Sequence, residues 1–175
     1  AEQPDQRVSL WARNTEHASE MARTRQNQRL LPEVTIPADV RITSEISEAV
    51  ADSDLLVIAI PSAFLREALV EISPALTADR PVVSVIKGIE NGTFLRPSEI
   101  IGEVLGSRAV VSLSGPSHAE EITRRLPATV VAASGDLPLA RSVQQIFSTD
   151  RFRVYTNVDI IGVELAAALK NVIAI

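Results

Sequence analysis

One stretch carries the most chemical information: Gly162-Val-Glu-Leu-Ala-Ala-Ala-Leu-Lys170-Asn171, an apolar helical pattern holding a single ammonium group. Taking a lysine charge out of water is costly unless a partner or a task compensates. At helical spacing Val163, Ala166, Ala167, Lys170 and Ala174 share a face, while Glu164 and Asn171 point elsewhere. The small alanines one turn before Lys170 let another backbone or a ligand come close. Two readings stay open from this helix: a lysine with a task, or one whose stem lies along apolar surface with its head in water.

Other candidate residues sit at the ends of strand-like runs, where open parallel sheets gather their ligands. Ile86-Lys87-Gly88 puts an ammonium at the tip of a buried strand, with glycine next so that backbone can approach a ligand. A plain turn lysine is the alternative. Ser114-Gly115-Pro116-Ser117-His118-Ala119-Glu120-Glu121 reads as a strand, a turn and a new helix, with Ser117 and Glu120 spaced as a capping box. The free amides at such a helix start suit an anion, although an ordinary strand-turn-helix needs the same residues. His118 reads there as solvent-exposed. Trp11-Ala12-Arg13-Asn14 puts Arg13 where a dinucleotide-binding fold meets the adenosine ribose, and an arginine there holds a 2′-phosphate. Arg13 is alternatively a solvated residue before a helix capped by Asn14. Ser62, after Ile60-Pro61, reads as a helix cap.

The elements that must position these groups follow from periodicity. Apolar runs of strand length recur at Val8–Ala12, Leu55–Ile60, Val82–Ile86, Ala109–Leu113 and Thr129–Ala133, with a last strand at Phe152–Tyr155, expected at a sheet edge. Helical period fills Thr15–Arg25, Ala63–Ile72, Ser98–Leu105, Ser117–Arg124 and Leu137–Phe147. Gln28–Thr43, containing Pro32 and Pro37, reads as a loop with one short strand near Val40. The alternation predicts an α/β fold with a doubly wound, mostly parallel Rossmann-type sheet.

Bulk properties narrow the classes. The chain has 175 residues, 46% of them apolar but only 3% aromatic, so Val, Ile, Leu and Ala must build the core. A net charge of -5 argues against a general nucleic-acid or anionic-membrane surface. Without cysteine there is neither a disulfide nor a thiolate metal site, and His17 and His118 are too far apart to suggest a metal centre. No run approaches the roughly 20 apolar residues of a membrane span, and no signal peptide is visible, so the expected location is cytoplasmic. The chain starts without methionine and stops inside an apolar helical pattern; a fragment of a longer protein is therefore expected. No Gly-x-Gly-x-x-Gly occurs, as in a dinucleotide-binding domain lacking its first strand, and equally as in a protein that binds no nucleotide.

Taken in order, Leu-Trp-Ala-Arg13, Val-Ile-Lys87-Gly-Ile-Glu90, Leu-Ser-Gly115-Pro-Ser117-His-Ala119-Glu-Glu121, Phe-Arg-Val-Tyr-Thr-Asn157 and the Gly162–Asn171 helix resemble the bacterial NAD(P)-dependent sn-glycerol-3-phosphate dehydrogenases. The resemblance runs over nearly the whole chain. It implies a dinucleotide-binding domain over residues 1–158, without its first strand and glycine loop. Residues 159–175 would then be the first helix of an all-helical C-terminal substrate domain. It implies reversible reduction of dihydroxyacetone phosphate to glycerol 3-phosphate with NADPH or NADH, serving phospholipid synthesis, and it admits a homodimer. Position by position, Lys170 matches the catalytic lysine and also touches substrate. Lys87 matches a lysine touching cofactor and substrate, Gly115 and Ser117 match substrate contacts, and Ala119 matches a cofactor contact. Arg13 and Asn14 match the adenosine-phosphate contact. Leu30 stands where members often carry an aromatic beside the cofactor, a departure from the pattern. No metal is implied.

The chemistry implied is electrostatic. Hydride attack on a ketone builds negative charge on oxygen, which a lysine ammonium about 3 Å away stabilises and protonates. In reverse the neutral amine takes the alcohol proton, and Lys87, also cationic, favours that neutral form by repulsion. Two rivals remain at this stage: a dinucleotide-binding module without catalysis, and a related hydroxy-acid dehydrogenase of the same architecture.

Overall fold

A computed structural model describes residues 6–76, 80–106 and 109–173, the last three by backbone alone. Ala174 and Ile175, and the side chain of Asn171, lie outside the described residues. The chain divides into two compact units, Ala1–Ser53 and Asp54–Ile175.

In the first unit, β1 (Ser9–Trp11) pairs in parallel with β4 (Arg41–Thr43), Ser9 opposite Arg41 and Trp11 opposite Thr43. Helix α1 (Thr15–Thr24) follows β1 and starts where Asn14 accepts from the His17 amide at 2.7 Å. It stops at Arg25, whose φ of 55° is left-handed. Arg25 then gathers the carbonyls of Ile36, Pro37 and Val40 with its guanidinium. That collection point corrects the expectation of a loop with one strand over 28–43. Gln26–Asn27 (β2) and Leu31–Thr35 (β3) form an antiparallel hairpin there, ahead of β4. Pro32 is tolerated in β3 because a two-stranded ladder leaves an unpaired edge on each side. A short helix α2 (Ile46–Val50), which periodicity over so few residues could not reveal, closes the unit.

The second unit is a five-stranded sheet in the order β5 (Leu56–Ile58), β6 (Val82–Ser84), β7 (Val110–Ser114), β8 (Ala128–Ala133) and β9 (Phe152–Asn157). All neighbours are parallel except β7 and β8. The fold is thus α/β with a mostly parallel, Rossmann-like sheet, and β9 lies at its edge. A 3-10 turn at Ser62–Phe64 leads into α3 (Leu65–Ile72); α4 (Pro97–Leu105), α5 (Ala119–Thr123) and α6 (Leu137–Phe147) make the later connections. Val82 and Val83 point to opposite faces of β6 and are both fully buried, so both faces are covered. One core cluster joins Val83, Val111, Leu113, Val130 and Val154 of the strands to Val143 of α6. Leu65 and Leu69 of α3 and Ile100 and Ile101 of α4 are also fully buried, where α3 and α4 pack on each other. Each such side chain contributes about 1.5–3 kcal/mol by leaving water. Among the described residues no helix is long and apolar enough to cross a membrane, and no group of three His, Asp or Glu could hold a metal.

The last helix, α7 (Ile160–Ile173), depends on the one antiparallel step. β8 and β9 run opposite to β7, so the chain leaves β9 at the edge away from the carboxyl end of β7. Asn157 and Asp159 turn it: Asn157 Oδ1 accepts from the Asp159 amide at 3.0 Å, and Asp159 Oδ1 from the Gly162 amide at 2.8 Å. Fourteen helical residues then cover ~21 Å along β7 and β8. That length returns Lys170 to the carboxyl edge of β7.

Glu164 fixes the position of this helix. It does point away from the Lys170 face, but it points into the protein, with 2% of its surface exposed. Its carboxylate accepts from Arg96 Nη1 at 2.7 Å, the Ser98 amide at 2.8 Å and Ser98 Oγ at 2.6 Å. These donors sit at the first turn of α4, where the helix dipole also favours an anion. Arg96 is held in turn by Glu99, at 2.8 Å to its Oε1. Removing one partner of such a buried set leaves the other unpaired, so Glu164→Ala should lower unfolding free energy by about 3 kcal/mol. A urea titration measures this, and a loss under about 1 kcal/mol would show that the clamp does not hold α7.

Candidate active site at the carboxyl edge of the sheet

Two neighbouring parallel strands, β6 and β7, end side by side and deliver the first half of the site. Past β6 the chain reaches Lys87, whose Nζ donates to Ser117 Oγ at 3.0 Å and to the Ser117 carbonyl at 3.4 Å. Ser117 Oγ donates onward to the Gly115 carbonyl at 3.2 Å. This corrects the capping-box reading. With its hydroxyl engaged by Lys87 and Gly115, Ser117 does not cap; the N-cap residue is His118, and no side chain caps α5. The helix therefore starts at Ala119, two residues later than expected.

Both glycines here are held by close packing. A Cβ on Gly115 would lie 2.7 Å from the Thr129 carbonyl and 2.9 Å from Val130 Cα, inside van der Waals contact with β8. A Cβ on Gly88, whose φ is 141°, would lie 2.8 Å from Ser62 Oγ. So Ser62 does not cap the 3-10 turn, as the sequence suggested; Pro61 is its N-cap residue and Ser62 packs beneath Gly88.

Helix α7 brings the second half. Lys170 Nζ lies 3.2 Å from His118 Nε2. Lys87 titrates below the ordinary lysine range, chiefly because burial penalises its charge, and also because the positive charge of Lys170 repels it. The two ammonium groups that the sequence singled out therefore converge on one edge of the sheet. A pair of cations with a histidine and a serine hydroxyl around them can hold an anionic ligand, stabilise a developing oxyanion and exchange a proton.

The remaining expected contacts are placed as follows. Ala119 is exposed at the first position of α5, beside His118. In the first unit Arg13 is exposed between β1 and α1, and Asn14 caps α1. Leu30 is 77% exposed at the turn of the β2–β3 hairpin. Sequence reasoning missed two participants. His118 is exposed, as expected, yet it touches Lys170. Glu164 is the buried anchor of the lysine helix. A carboxylate on the same apolar helix as Lys170 was the available sign for the second; nothing local marked the first.

Comparison with known proteins gives this edge a context. A family model described as NAD-dependent glycerol-3-phosphate dehydrogenase N-terminus matches residues 1–140. The glycerol-3-phosphate dehydrogenase (NAD(P)+) of Prosthecochloris aestuarii is 48% identical over 172 residues, which are 96% of this chain and 52% of that protein. The enzyme of the same name from Clostridium acetobutylicum is 44% identical over 168 residues, 96% of this chain and 51% of the relative. Among solved structures, a glycerol-3-phosphate dehydrogenase from Coxiella burnetii superposes with a TM-score of 0.89 at 30% identity, covering 97% of this chain and 52% of its own. The chain thus spans about half the length of the curated relatives it matches. With the family model covering most of its residues and the fold agreeing, the chain belongs to the NAD-dependent glycerol-3-phosphate dehydrogenase family.

Proposed function

We propose that this chain works in an NAD(P)-dependent sn-glycerol-3-phosphate dehydrogenase. The enzyme interconverts dihydroxyacetone phosphate and sn-glycerol 3-phosphate in the cytoplasm, and its reducing direction feeds phospholipid synthesis. The observation that carries the reading is the convergence of Lys87 and Lys170, from separate elements, beside Ser117 and His118. In this reading residues 1–158 bind the dinucleotide and residue 159 begins an all-helical substrate domain. The exposed apolar stripe Ile161, Leu165 and Leu169 on α7 supports the second part, being the kind of surface that further helices cover.

Within each unit the residues present suit one part of a nicotinamide dinucleotide. Arg13 is exposed next to the capped first turn of α1, and an arginine side chain suits a 2′-phosphate. Asn14 and Leu30 belong to the same unit and serve the adenosine end, while Lys87 and Ala119 serve the nicotinamide end. The bound cofactor supplies the hydride. Lys170 places its ammonium on the substrate carbonyl oxygen, stabilises the charge that grows there and donates the proton. Lys87, Ser117 and Gly115 hold the substrate, Gly115 through backbone that its close contact with β8 keeps rigid. In the oxidising direction Lys170 acts as a neutral amine that takes the hydroxyl proton.

General acid–base help of this kind is worth on the order of 100- to 10,000-fold. Lys170→Ala in the full-length enzyme should therefore lower turnover at least about 100-fold in an NADPH-absorbance assay with dihydroxyacetone phosphate. Retention of more than about a tenth of wild-type turnover would remove Lys170 from the catalytic role. Cofactor choice is a separate test. Arg13→Asp replaces the 2′-phosphate partner by a group that suits a free ribose, so the ratio of kcat/KM for NADH over NADPH should rise about tenfold or more. An unchanged ratio would exclude Arg13 from cofactor contact.

A further inference from the structure

Lys170 is only partly exposed, and its contact with His118 offers its proton a further path to water. We propose that His118 relays this proton between Lys170 and solvent, a role that rests on the proposed function of Lys170. The two nitrogens, Nζ and Nε2, are 3.2 Å apart. Both cannot donate across that gap. Either a neutral imidazole accepts from the lysine ammonium or a neutral amine accepts from the ring, and in both cases one proton lies between two bases. His118 is exposed, so water reaches the ring, whereas Lys170 is only half-exposed on a helix packed against β7 and β8.

The placement is built into the fold. The His118 carbonyl accepts from the Glu121 and Ile122 amides at 3.1 and 3.0 Å, which fixes its backbone at the start of α5. Ser117, one residue earlier, is tied to Lys87, so the peptide carrying His118 is anchored on both sides. Lys87 Nζ already donates to two oxygens of Ser117, neither of which is a base strong enough to accept the proton.

The transfer balances by itself. After the alcohol proton has reached Lys170, an N–H bond of the ammonium breaks and its proton joins the Nε2 lone pair. The imidazolium then loses its Nδ1 proton to water, and the ring returns to its starting state after exchanging tautomers. Reduction runs the same steps backwards.

The test uses the full-length enzyme and three variants. His118→Phe should lower kcat for glycerol 3-phosphate oxidation about tenfold with KM within about twofold, and added imidazole should restore much of the loss. His118→Gln can accept a hydrogen bond from Lys170 but cannot pass a proton on, so it should be as slow as His118→Phe. A second readout needs no turnover: the ring nitrogen shifts of His118 should change in Lys170→Met. Wild-type kcat in His118→Phe, full activity in His118→Gln, or a loss that imidazole does not repair would each overturn the relay. Lys170→Ala run in parallel separates the two ideas. If Lys170→Ala is inactive while His118→Phe keeps wild-type kcat, the relay alone falls; if Lys170→Ala is active, the reading beneath it falls.

Discussion

The carboxylate of Glu164 is the contact on which the site depends. It is buried on the helix that carries Lys170, six residues before it, and its acceptor positions are taken by Arg96 Nη1, the Ser98 amide and Ser98 Oγ. A buried charge is tolerable only when paired and hydrogen-bonded, so this one allows α7 few rotations or registers against α4. Sliding by a residue would rotate Glu164 out of its donors and carry Lys170 away from His118. The rigidity of the lysine thus comes from a residue with no part in the reaction. Packing alone would fix it less well, since α7 is otherwise mostly Ala, Leu, Ile and Val, with several members exposed.

A second constraint is topological. In a wholly parallel sheet every strand would leave at the same edge, and a helix following β9 would run away from it. The single antiparallel step between β7 and β8 reverses this. β9 delivers the chain to the far edge, and α7 has about the length needed to come back. Lys87 and Ser117 arrive from the ends of β6 and β7, while Lys170 arrives by a longer route. Two cations that repel each other are held together because sheet and clamp decide where they sit.

Much of this was legible in the sequence, for identifiable reasons. Leu137–Phe147 is a strongly amphipathic segment between an aspartate cap and a strand, and the helix has those bounds. The central strands β6 and β7 read clearly because both faces are buried, which leaves apolar runs without alternation. The β2–β3 hairpin did not, because Pro32 in a strand reads as a breaker when the partner strand is unknown. Ser117 matched a capping pattern and yet bonds to Lys87, since a cation 30 residues upstream competes for the hydroxyl. His118 and Glu164 acquire their importance through contacts 52 and 66 to 68 residues away, which no local pattern encodes.

The convergence of Lys87 and Lys170 can be measured directly from the pH dependence of Lys87 acylation, read by peptide mass spectrometry in the wild type and in Lys170→Met. Partial burial keeps Lys87 below the ordinary lysine range in both proteins, but loss of the neighbouring charge should move its titration part of the way back up. An identical titration in the two proteins would mean that the ammonium groups do not share a site, and the catalytic account would fail with it.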